Sequence, residues 1–500
     1  MRIIIVGGGT AGWITAGYLA RAFNAVERSA EITLIESPDA GRIGVGEATF
    51  PTLRRTLSHL QIDEREFLRR TGATFKHGVR FENWARTRHS YYHTFEALLG
   101  QTGGETGDAW LARRSANEAR PFAYEYGVQA FAADAGRAPK LLSDPEYMGQ
   151  LNYAYHVDAD LLGDLLCEKM VAAGVQHLRD DVVDVVRAGD TGLLEAVIGR
   201  REGRLDADFF VDCTGFAAVL LGKALDVPFV PYGQYLLCDR AVALRLPYAS
   251  DHEAVDPFTT ARALDYGWMW KVGLQSRSGQ GHVYCSAMLS DDDAEQQLRQ
   301  VTGAGSELPA RRLKFRTGRS ARSWEANCVA IGLAGGFIEP LESTGIYLIE
   351  EGARLLARLM PLDGGGFARS AEAYNRHMAS LYEEIRDFIV LHYCVTRRDD
   401  TPFWQAVQRP EHIPDRVREL MQLWKGRSPA PEDLATSHAF PALSYQYVLY
   451  GMDWITDEAA RRARLKGAAL PPPELEGRRA ELLRLLPRHG EYLQTLSSPS

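Results

Sequence analysis

Long hydrophobic runs are missing from this chain of 500 residues. No segment approaches the roughly 20 apolar residues that a membrane-spanning helix requires. The apolar stretch over residues 1–6 has the length of a strand and is too short for the core of a signal peptide. These absences predict a protein that has no membrane contact and is located in the cytoplasm.

An excess of positive charge is also missing, since the formal net charge is -8. Proteins that bind nucleic acids usually carry a basic stripe or a strongly basic domain, because they must neutralise phosphate groups. The sequence therefore argues against a nucleic-acid partner, and it favours small molecules as the ligands.

Cysteines are few, and none is paired at the spacing of a metal or redox site. The six cysteines are scattered along the chain: Cys167, Cys213, Cys238, Cys285, Cys328 and Cys394. There is no CxxC pair, and no Cys/His spacing matches a zinc site. We therefore expect reduced thiols in the core and predict no metal.

The N-terminal segment carries a nucleotide-binding pattern. Residues 2–6 are typical of a buried strand, and the sequence GGGTAG at residues 7–12 leads into a predicted helix that extends to Phe23. A second strand is predicted over residues 32–35 and ends at Glu36. This order of strand, glycine-rich turn, helix and strand is the βαβ fingerprint of dinucleotide-binding proteins.

The positions of the glycines have physical reasons. Gly7 permits the tight turn, Gly9 allows backbone N–H groups to approach a pyrophosphate, and Gly12 lets the helix pack on the strand. Glu36, 24 residues after Gly12, can bind a ribose hydroxyl. The pattern predicts a nucleotide cofactor and leaves FAD and NAD(P) as alternatives.

Later segments favour FAD. The segments at residues 209–215 and 327–336 are each a strand that runs into a glycine-containing turn, and such turns can converge on one extended cofactor. Residues 41–51 contain three closely spaced glycines and predict an irregular strap. No second GxGxxG follows a strand, which suggests that a flavin would be reduced by another protein.

Beyond about residue 350, helical periodicity dominates. Helices are predicted over residues 349–360, 367–396, 415–424 and 474–496. We predict an α/β protein with an FAD-binding Rossmann-like domain that has a mixed sheet, and with a mostly helical substrate-binding region. The predicted division has an FAD and halide module at residues 1–350, with inserted substrate walls near 75–150 and 225–310, and a C-terminal region at residues 351–500.

A lysine among aromatic residues is the most informative feature outside the nucleotide loop. Lys76 lies in FKHGVRFENW, residues 75–84, and a lysine that loses hydration can donate protons or act as an amine nucleophile. Most lysines are solvated surface charges. The prediction therefore depends on two further segments, WMW at residues 268–270 and EPLESTGI at residues 339–346.

Together with the glycine-rich loop, these segments resemble the flavin-dependent tryptophan halogenase family, and the resemblance covers the chain to at least Gly451. One motif departs from the family pattern. Where members have Trp-x-Trp-x-Ile-Pro, this chain has Val272 and Gly273 at the last two positions. Glycine frees a backbone that proline would fix, so the resemblance says less about the substrate than about the reaction.

The resemblance implies that reduced FAD, O2 and chloride or bromide generate hypohalous acid, which halogenates a small aromatic molecule in a separate pocket. Lys76 would meet this acid, either as a hydrogen-bond donor or as a haloamine. Glu342 would orient the halogenating agent and accept the proton from the ring. Thr344 and Gly345 match the positions whose backbone N–H groups hold the halide.

The resemblance also implies which residues contact the cofactor. It further implies that two tryptophans, Trp268 and Trp270, separate the flavin from the substrate. The residues that match flavin contacts are Gly7, Gly9, Thr10, Ala11, Gly12, Glu36, Ala48, Val182, Leu333 and Ile346. A separate flavin reductase would supply FADH2, and the resemblance leaves a homodimer open.

For the aromatic substrate, residues 91–95 resemble a His-Pro-Phe segment of the family. This match gives His93 and Phe95 as ring-stacking walls, although histidine beside phenylalanine is more often simply packed. Tyr447 and Asp453 are the nearest match to residues that grip an amino acid in tryptophan-specific members. An indole or tryptophan-like substrate is favoured, and a phenol or a peptide-bound or carrier-bound ring stays open.

Two other functions stay open at the level of sequence. One is a flavin monooxygenase that hydroxylates its aromatic substrate and takes hydride from NAD(P)H at its own flavin. The other is a flavin-binding redox sensor without catalysis, in which neither Lys76 nor Glu342 would matter. The sequence gives neither the halogenated position nor a preference between chloride and bromide.

Overall fold

The computed structural model describes residues 1–39, 41, 44, 46–96, 103–189, 192–248, 255–361, 366–436, 438–466 and 470–497. Three residues of the predicted strap, 42, 43 and 45, lie outside the described part of the chain. The described part of the strap contains one short strand, Glu47–Ala48. Within the described ranges, no helix is long and apolar enough to cross a membrane, and no group of His, Cys, Asp and Glu side chains is arranged to hold a metal.

The strands and helices follow in chain order. The strands are Arg2–Val6, Glu31–Glu36, Glu47–Ala48, Thr74–Lys76, Gly78–Glu82, Ser90–Thr94, Ala154–Val157, Gln176–Arg179, Val182–Arg187, Leu194–Gly199, Gly203–Asp206, Phe209–Asp212, Phe229–Pro231, Arg240–Pro247, Thr259–Leu264, Gly267–Gly273, Arg277–Tyr284, Arg311–Lys314, Gly318–Ser320, Trp324–Glu325, Cys328–Ala330 and Gly336–Phe337. The α-helices are Thr10–Asn24, Leu53–His59, Glu64–Thr71, Gly103–Ser115, Phe122–Glu125, Gln129–Asp134, Ala159–Ala172, Asp291–Thr302, Thr344–Leu359, Phe367–Cys394, Pro402–Ala406, Asp415–Trp424, Ala442–Gly451, Asp457–Lys466, Glu474–Leu485 and His489–Ser497.

The chain forms two compact units, and each is built from three separate segments. The first unit contains residues 1–72, 157–232 and 315–382, and the second contains residues 73–156, 233–314 and 383–500. The division predicted at residue 350 follows a change of pattern along the sequence. The two units are instead defined by contacts between segments that are distant in sequence.

A six-stranded sheet forms the centre of the first unit. Its strand order is Trp324–Glu325, Cys328–Ala330, Phe209–Asp212, Arg2–Val6, Glu31–Glu36 and Gln176–Arg179. All neighbours in this sheet are parallel except the first pair. The first strand of the chain has neighbours on both sides, which explains why Ile3, Ile4 and Ile5 are buried. The predicted βαβ unit is confirmed.

A seven-stranded sheet forms the centre of the second unit. Its strand order is Arg311–Lys314, Arg240–Pro247, Arg277–Tyr284, Gly267–Gly273, Thr259–Leu264, Gly78–Glu82 and Ser90–Thr94. Side chains alternate between its two faces, so Met269 packs with Leu298 of the helix Asp291–Thr302 while Trp268 and Trp270 point to the opposite face. Both tryptophans therefore lie on one face of this strand.

The C-terminal part of the chain is helical, as predicted, but one boundary was wrong. The sequence pattern predicted a single helix over residues 474–496, whereas the structure has one helix at Glu474–Leu485 and another at His489–Ser497. Pro487 lies in the break, where its ring and its missing N–H group are incompatible with a continuous helix. The carbonyl of Pro487 accepts a hydrogen bond from the N–H of Ala138, which lies outside both helices, at 3.0 Å.

Candidate active site

The glycine-rich loop of the first unit has the geometry that its sequence predicts. Gly7 has a φ of +120°, and a Cβ atom there would lie 2.1 Å from the carbonyl oxygen of Cys213. A Cβ atom at Gly12 would lie 1.9 Å from the carbonyl oxygen of Gly7. A Cβ atom at Gly9 would meet nothing within 4 Å. Gly7 and Gly12 are therefore required by the turn itself, whereas the backbone at Gly9 faces open space.

The helix that follows this loop, Thr10–Asn24, begins at Gly9 as its N-cap, and within the described residues no side chain caps it. Such a terminus presents backbone N–H groups and the positive end of the helix dipole, the combination that binds phosphate. Glu36 lies beside the loop, because a Cβ atom at Gly8 would be 2.2 Å from its Cγ. The Glu36 carboxylate also contacts Nε2 of His177 at 3.0 Å.

Three glycine-containing turns meet at one edge of the six-stranded sheet, because they follow three adjacent parallel strands. Gly332 has a φ of +72°, and a Cβ atom there would lie 2.9 Å from the Cβ of Ala11. Gly332 therefore lies against the glycine-rich loop, and Leu333 is the next residue. Asp212 fixes the middle turn, since its buried carboxylate accepts hydrogen bonds from the N–H groups of Leu220 and Leu221 at 2.7 and 2.8 Å. The predicted convergence of these turns is confirmed.

This edge of the sheet fits a dinucleotide such as FAD. The uncapped helix terminus and the open backbone at Gly9 match a pyrophosphate, and the Glu36 carboxylate matches a ribose hydroxyl. Two other predicted flavin contacts lie in the same unit, Ala48 in its two-residue strand and Val182 at the start of the strand Val182–Arg187. Both side chains are partly exposed.

A second helix terminus in the first unit carries the predicted halide residues. The helix Thr344–Leu359 begins with Thr344, Gly345 and Ile346, after Ser343 in a left-handed conformation with a φ of +65°. Among the residues that the structure describes, the buried Thr344 hydroxyl has no hydrogen-bond partner, and a Cβ atom at Gly345 would meet nothing within 4 Å. Glu342 is 2% exposed and precedes this terminus. An unpartnered hydroxyl beside N-terminal amides suits a small anion.

Lys76 lies in the second unit and is fully buried. It ends the strand Thr74–Lys76, which pairs with the antiparallel strand Ala154–Val157. Its ammonium group lies 5.0 Å from the ring centre of Phe95, a cation–π contact. Burial of an ammonium group against an aromatic ring is the dehydrated environment that the sequence predicted.

The two tryptophans lie on the strand Gly267–Gly273, with ring centres 6.3 Å apart. Trp268 is 1% exposed, and its indole N–H has no hydrogen-bond partner in the described part of the chain. The Trp270 ring covers Gly281 of the neighbouring strand, where a Cβ atom would lie 2.1 Å from the indole. The pair forms a continuous aromatic surface on one face of the sheet.

His93 belongs to an aromatic cluster of the second unit. Its ring lies 5.6 Å from Tyr447 and 5.8 Å from Phe388, and its Nε2 contacts the Ser444 hydroxyl at 3.0 Å. Thr94, which stands where the family has proline, donates a hydrogen bond to the Tyr447 hydroxyl at 3.0 Å. Burial raises the pKa of Tyr447, so its phenol stays neutral. The structure therefore brings His93 and Tyr447 together.

Asp453 interacts with residues other than those of this cluster. Its carboxylate contacts Arg86 at 2.7 Å and Arg114 and His89 at 3.8 Å, and its carbonyl oxygen accepts a hydrogen bond from Arg397. These cationic and imidazole partners account for the charge of Asp453 without a ligand ammonium group.

The sequence model of the tryptophan halogenase family matches residues 2–467. The chain belongs to the tryptophan halogenase family. A curated member, tryptophan 6-halogenase SttH of Streptomyces toxytricini, is 38% identical in an alignment of 473 positions that covers 90% of this chain and 89% of that protein. Tryptophan 7-halogenase RebH of Lentzea aerocolonigenes is 33% identical over 99% of this chain and 98% of its own.

Solved structures of tryptophan halogenases have the same fold. The tryptophan halogenase from Shewanella frigidimarina NCIMB 400 superimposes with a TM-score of 0.91 at 35% identity, covering 99% of this chain and 97% of that one. This halogenase is thus a flavin-dependent enzyme of the family, and neither the monooxygenase nor the non-catalytic sensor is favoured. SttH and RebH are named for different ring positions, so membership alone leaves the halogenated position open.

The sequence patterns did not indicate Glu384, a residue that supports the aromatic cluster around His93. Glu384, on the helix Phe367–Cys394, accepts hydrogen bonds from the N–H groups of Ala439 and Phe440 at 2.9 and 3.0 Å. Phe440 stacks on Phe388 at 3.8 Å in the cluster around His93. A carboxylate within an apolar helical face was the available signal, but its partners lie more than 50 positions away.

Proposed function

We propose that this halogenase uses reduced FAD, O2 and chloride or bromide to halogenate an electron-rich aromatic molecule, an indole or a tryptophan-like compound. A separate flavin reductase supplies the FADH2. The observation that carries this proposal is the fully buried ammonium group of Lys76, held over Phe95 in a chain of this family. Lysine side chains are rarely fully buried in proteins.

The first unit holds the cofactor in this proposal. When bound, reduced FAD would supply two electrons to O2, and oxidation of the halide to hypohalous acid would supply the other two. The N–H groups that follow Gly9 bind its pyrophosphate, and Glu36 binds a ribose hydroxyl. The other residues proposed to contact the flavin are Gly7, Thr10, Ala11, Gly12, Ala48, Val182, Leu333 and Ile346.

Thr344 and Gly345 bind the halide through their backbone N–H groups. The support is the geometry of the helix terminus, where, within the described ranges, the buried Thr344 hydroxyl lacks a partner and the Cα of Gly345 faces open space. The hydroxyl adds a third donor for a chloride or bromide ion, and the dipole of a helix as long as Thr344–Leu359 favours the anion.

Lys76 and Glu342 move the protons of the halogenation step. Lys76 donates a hydrogen bond to the oxygen of hypohalous acid and gives up a proton as the halogen is transferred to the ring carbon, so that the oxygen leaves as water. Glu342 accepts the proton that this carbon loses. Transfer of the halogen to the Lys76 nitrogen first, as a haloamine, would lead to the same product.

Aromatic side chains hold and separate the reactants. His93, Phe95 and Tyr447 present ring faces and edges to a flat substrate. Trp268 and Trp270 separate the substrate from the flavin and so suppress direct oxygenation of the ring. Asp453 already has three arginine partners, so recognition of the ring is proposed to outweigh recognition of an amino-acid ammonium group.

The test is a reaction with FAD, a separate flavin reductase, NADH and bromide, analysed by mass spectrometry. Tryptophan, indole and simple phenols serve as substrates. A bromine isotope pattern in the product supports the proposal, and omission of bromide should remove it. Products that gain only oxygen would contradict the proposal.

A further inference from the structure

A buried histidine lies on the strand that pairs with the Lys76 strand. In this antiparallel pair, Thr74 is opposite His156 and Lys76 is opposite Ala154. Because side chains alternate along strands, all four project from the same face. Thr74, Lys76 and His156 are fully buried. His156 is therefore a close neighbour of the Lys76 side chain.

Hydrogen bonds determine which ring nitrogen of His156 carries the hydrogen. The Thr74 hydroxyl donates its single hydrogen to the carbonyl oxygen of Gly273 at 2.6 Å, so towards Nδ1 of His156, at 3.2 Å, it can only accept. Nδ1 therefore carries the ring hydrogen. Nε2 is left as an acceptor, and the Thr259 hydroxyl, 2.9 Å away, donates to it.

The charge on His156 is also determined by its surroundings. Burial, followed by the positive charge of Lys76 and the proximity of His489, lowers the pKa of His156 well below its usual value. Lys76 therefore has a neutral neighbour whose two ring nitrogens both have hydrogen-bond partners.

We propose that His156 is a positioning residue for Lys76. Its two hydrogen bonds connect Thr74 of the Lys76 strand with Thr259, which begins a strand of the seven-stranded sheet. The bond to Thr74 also orients the Thr74 hydroxyl, which itself donates to the carbonyl oxygen of Gly273 at the end of the strand that carries both tryptophans. This connection fixes the ammonium group relative to the tryptophan surface. The inference rests on the proposed function, since it concerns how accurately the Lys76 ammonium group is positioned to bind hypohalous acid.

The test compares two products for each reduced flavin consumed. One is brominated indole. The other is methionine sulfoxide, which forms when hypobromous acid escapes from the enzyme and oxidises added methionine. Only the sulfoxide whose formation requires bromide is counted. In His156→Phe, which removes both hydrogen bonds, we expect brominated indole to fall between about 10-fold and 100-fold while the sulfoxide rises. His156→Asn retains a donor near Thr74 and should recover part of the loss.

His282→Phe is the matched control, because His282 is also fully buried in the second unit and contacts the carbonyl of Ala294 instead. It should leave the ratio of the two products unchanged. If His156→Phe does not fold, Thr259→Val removes the donor to Nε2 and should shift the ratio in the same direction. A wild-type ratio in a folded His156→Phe or, failing that, in Thr259→Val would overturn the inference. Absence of brominated product in the wild type would refute the proposed function instead.

Discussion

At the scale of single residues, Gly281 shows how closely the tryptophan strand is packed. A side chain there would collide with the Trp270 indole, since even a Cβ atom would lie 2.1 Å from the ring. We expect Gly281→Ala to displace Trp270 and to lower the free energy of unfolding by about 1 to 3 kcal/mol. Urea denaturation and near-ultraviolet circular dichroism measure both effects. Gly490→Ala, where a Cβ atom would meet nothing within 4 Å in the described part of the chain, should leave the signal of Trp270 unchanged and should not lower the free energy of unfolding, because alanine suits the helix His489–Ser497.

Single residues also show what the sequence could predict about the site. Gly7 and Gly12 were predictable, because a local turn imposes their conformation and their spacing is characteristic. Lys76 and Glu342 were found by resemblance to a family, not by periodicity. The hydrogen bond from Thr94 to Tyr447 could not be predicted, because it joins residues that are 353 positions apart.

At the scale of elements, the helix Thr344–Leu359 contains two adjacent glutamates with opposite pKa shifts. Burial raises the pKa of Glu350 to about 7, against hydrogen bonds from Thr56 and Thr52. For Glu351, burial also acts to raise the pKa, but hydrogen bonds from His377 and Arg354 outweigh it and lower the pKa to about 2. At these two positions, the helix that carries the proposed halide residues has contributions to stability that depend on pH: the one from Glu350 decreases with rising pH and the one from Glu351 increases.

The raised pKa of Glu350 gives a stability prediction with a definite sign. Folded protein keeps this carboxyl protonated where unfolded protein ionises it, so the stability due to Glu350 is complete below about pH 4.5 and is lost as the pH rises to about 7. We expect Glu350→Gln to remove this loss, raising the free energy of unfolding at pH 8 by up to about 3 kcal/mol. Urea denaturation at pH 5 and pH 8 measures it.

Glu351→Gln is the control on the same helix, and it should act in the opposite direction. Because the pKa of Glu351 is lowered, its ionised form stabilises the folded protein at neutral pH. Its removal should lower the free energy of unfolding at pH 8 by about 1 to 3 kcal/mol. Equal effects of the two substitutions would contradict the assignment of the shifts.

The last helix, His489–Ser497, supports the strand of Lys76. Tyr492 packs edge-on against Phe75 at 5.1 Å, and Nε2 of His489 accepts a hydrogen bond from the N–H of Phe75 at 3.1 Å. We expect Tyr492→Ala to destabilise the protein by about 3 kcal/mol and Tyr492→Phe by much less. Thermal unfolding of the two variants measures the difference. A wild-type midpoint for Tyr492→Ala would show that the helix is dispensable.

At the scale of the whole molecule, the sequence predicted the α/β class, the βαβ unit and the helical C-terminal region. These features depend on local periodicity, which extends over 10 to 30 residues. It could not predict that residues 73–156, 233–314 and 383–500 form one compact unit. Pairing such as that of the strands Gly78–Glu82 and Thr259–Leu264 joins segments about 180 positions apart, and no local pattern encodes it.

The two units also divide the proposed functions. The residues proposed to bind flavin and halide, with Glu342, lie in the first unit, and Lys76 lies in the second with the aromatic residues proposed to hold the substrate. We therefore expect substitutions at Lys76 to leave FAD affinity unchanged. A titration of FAD, followed by flavin fluorescence, measures this, and a loss of affinity in a folded Lys76→Met would contradict the division.

Mass spectrometry of the bromination product formed by Lys76→Met, beside Lys140→Met, tests the central claim most directly. Lys140 is a matched control, because it is also a buried lysine of the second unit near an aromatic ring, with its ammonium group 5.8 Å from the centre of Tyr153. We predict that the bromine isotope pattern persists in Lys140→Met and disappears in a folded Lys76→Met that still oxidises reduced FAD. Brominated product at the wild-type level in Lys76→Met would contradict the account.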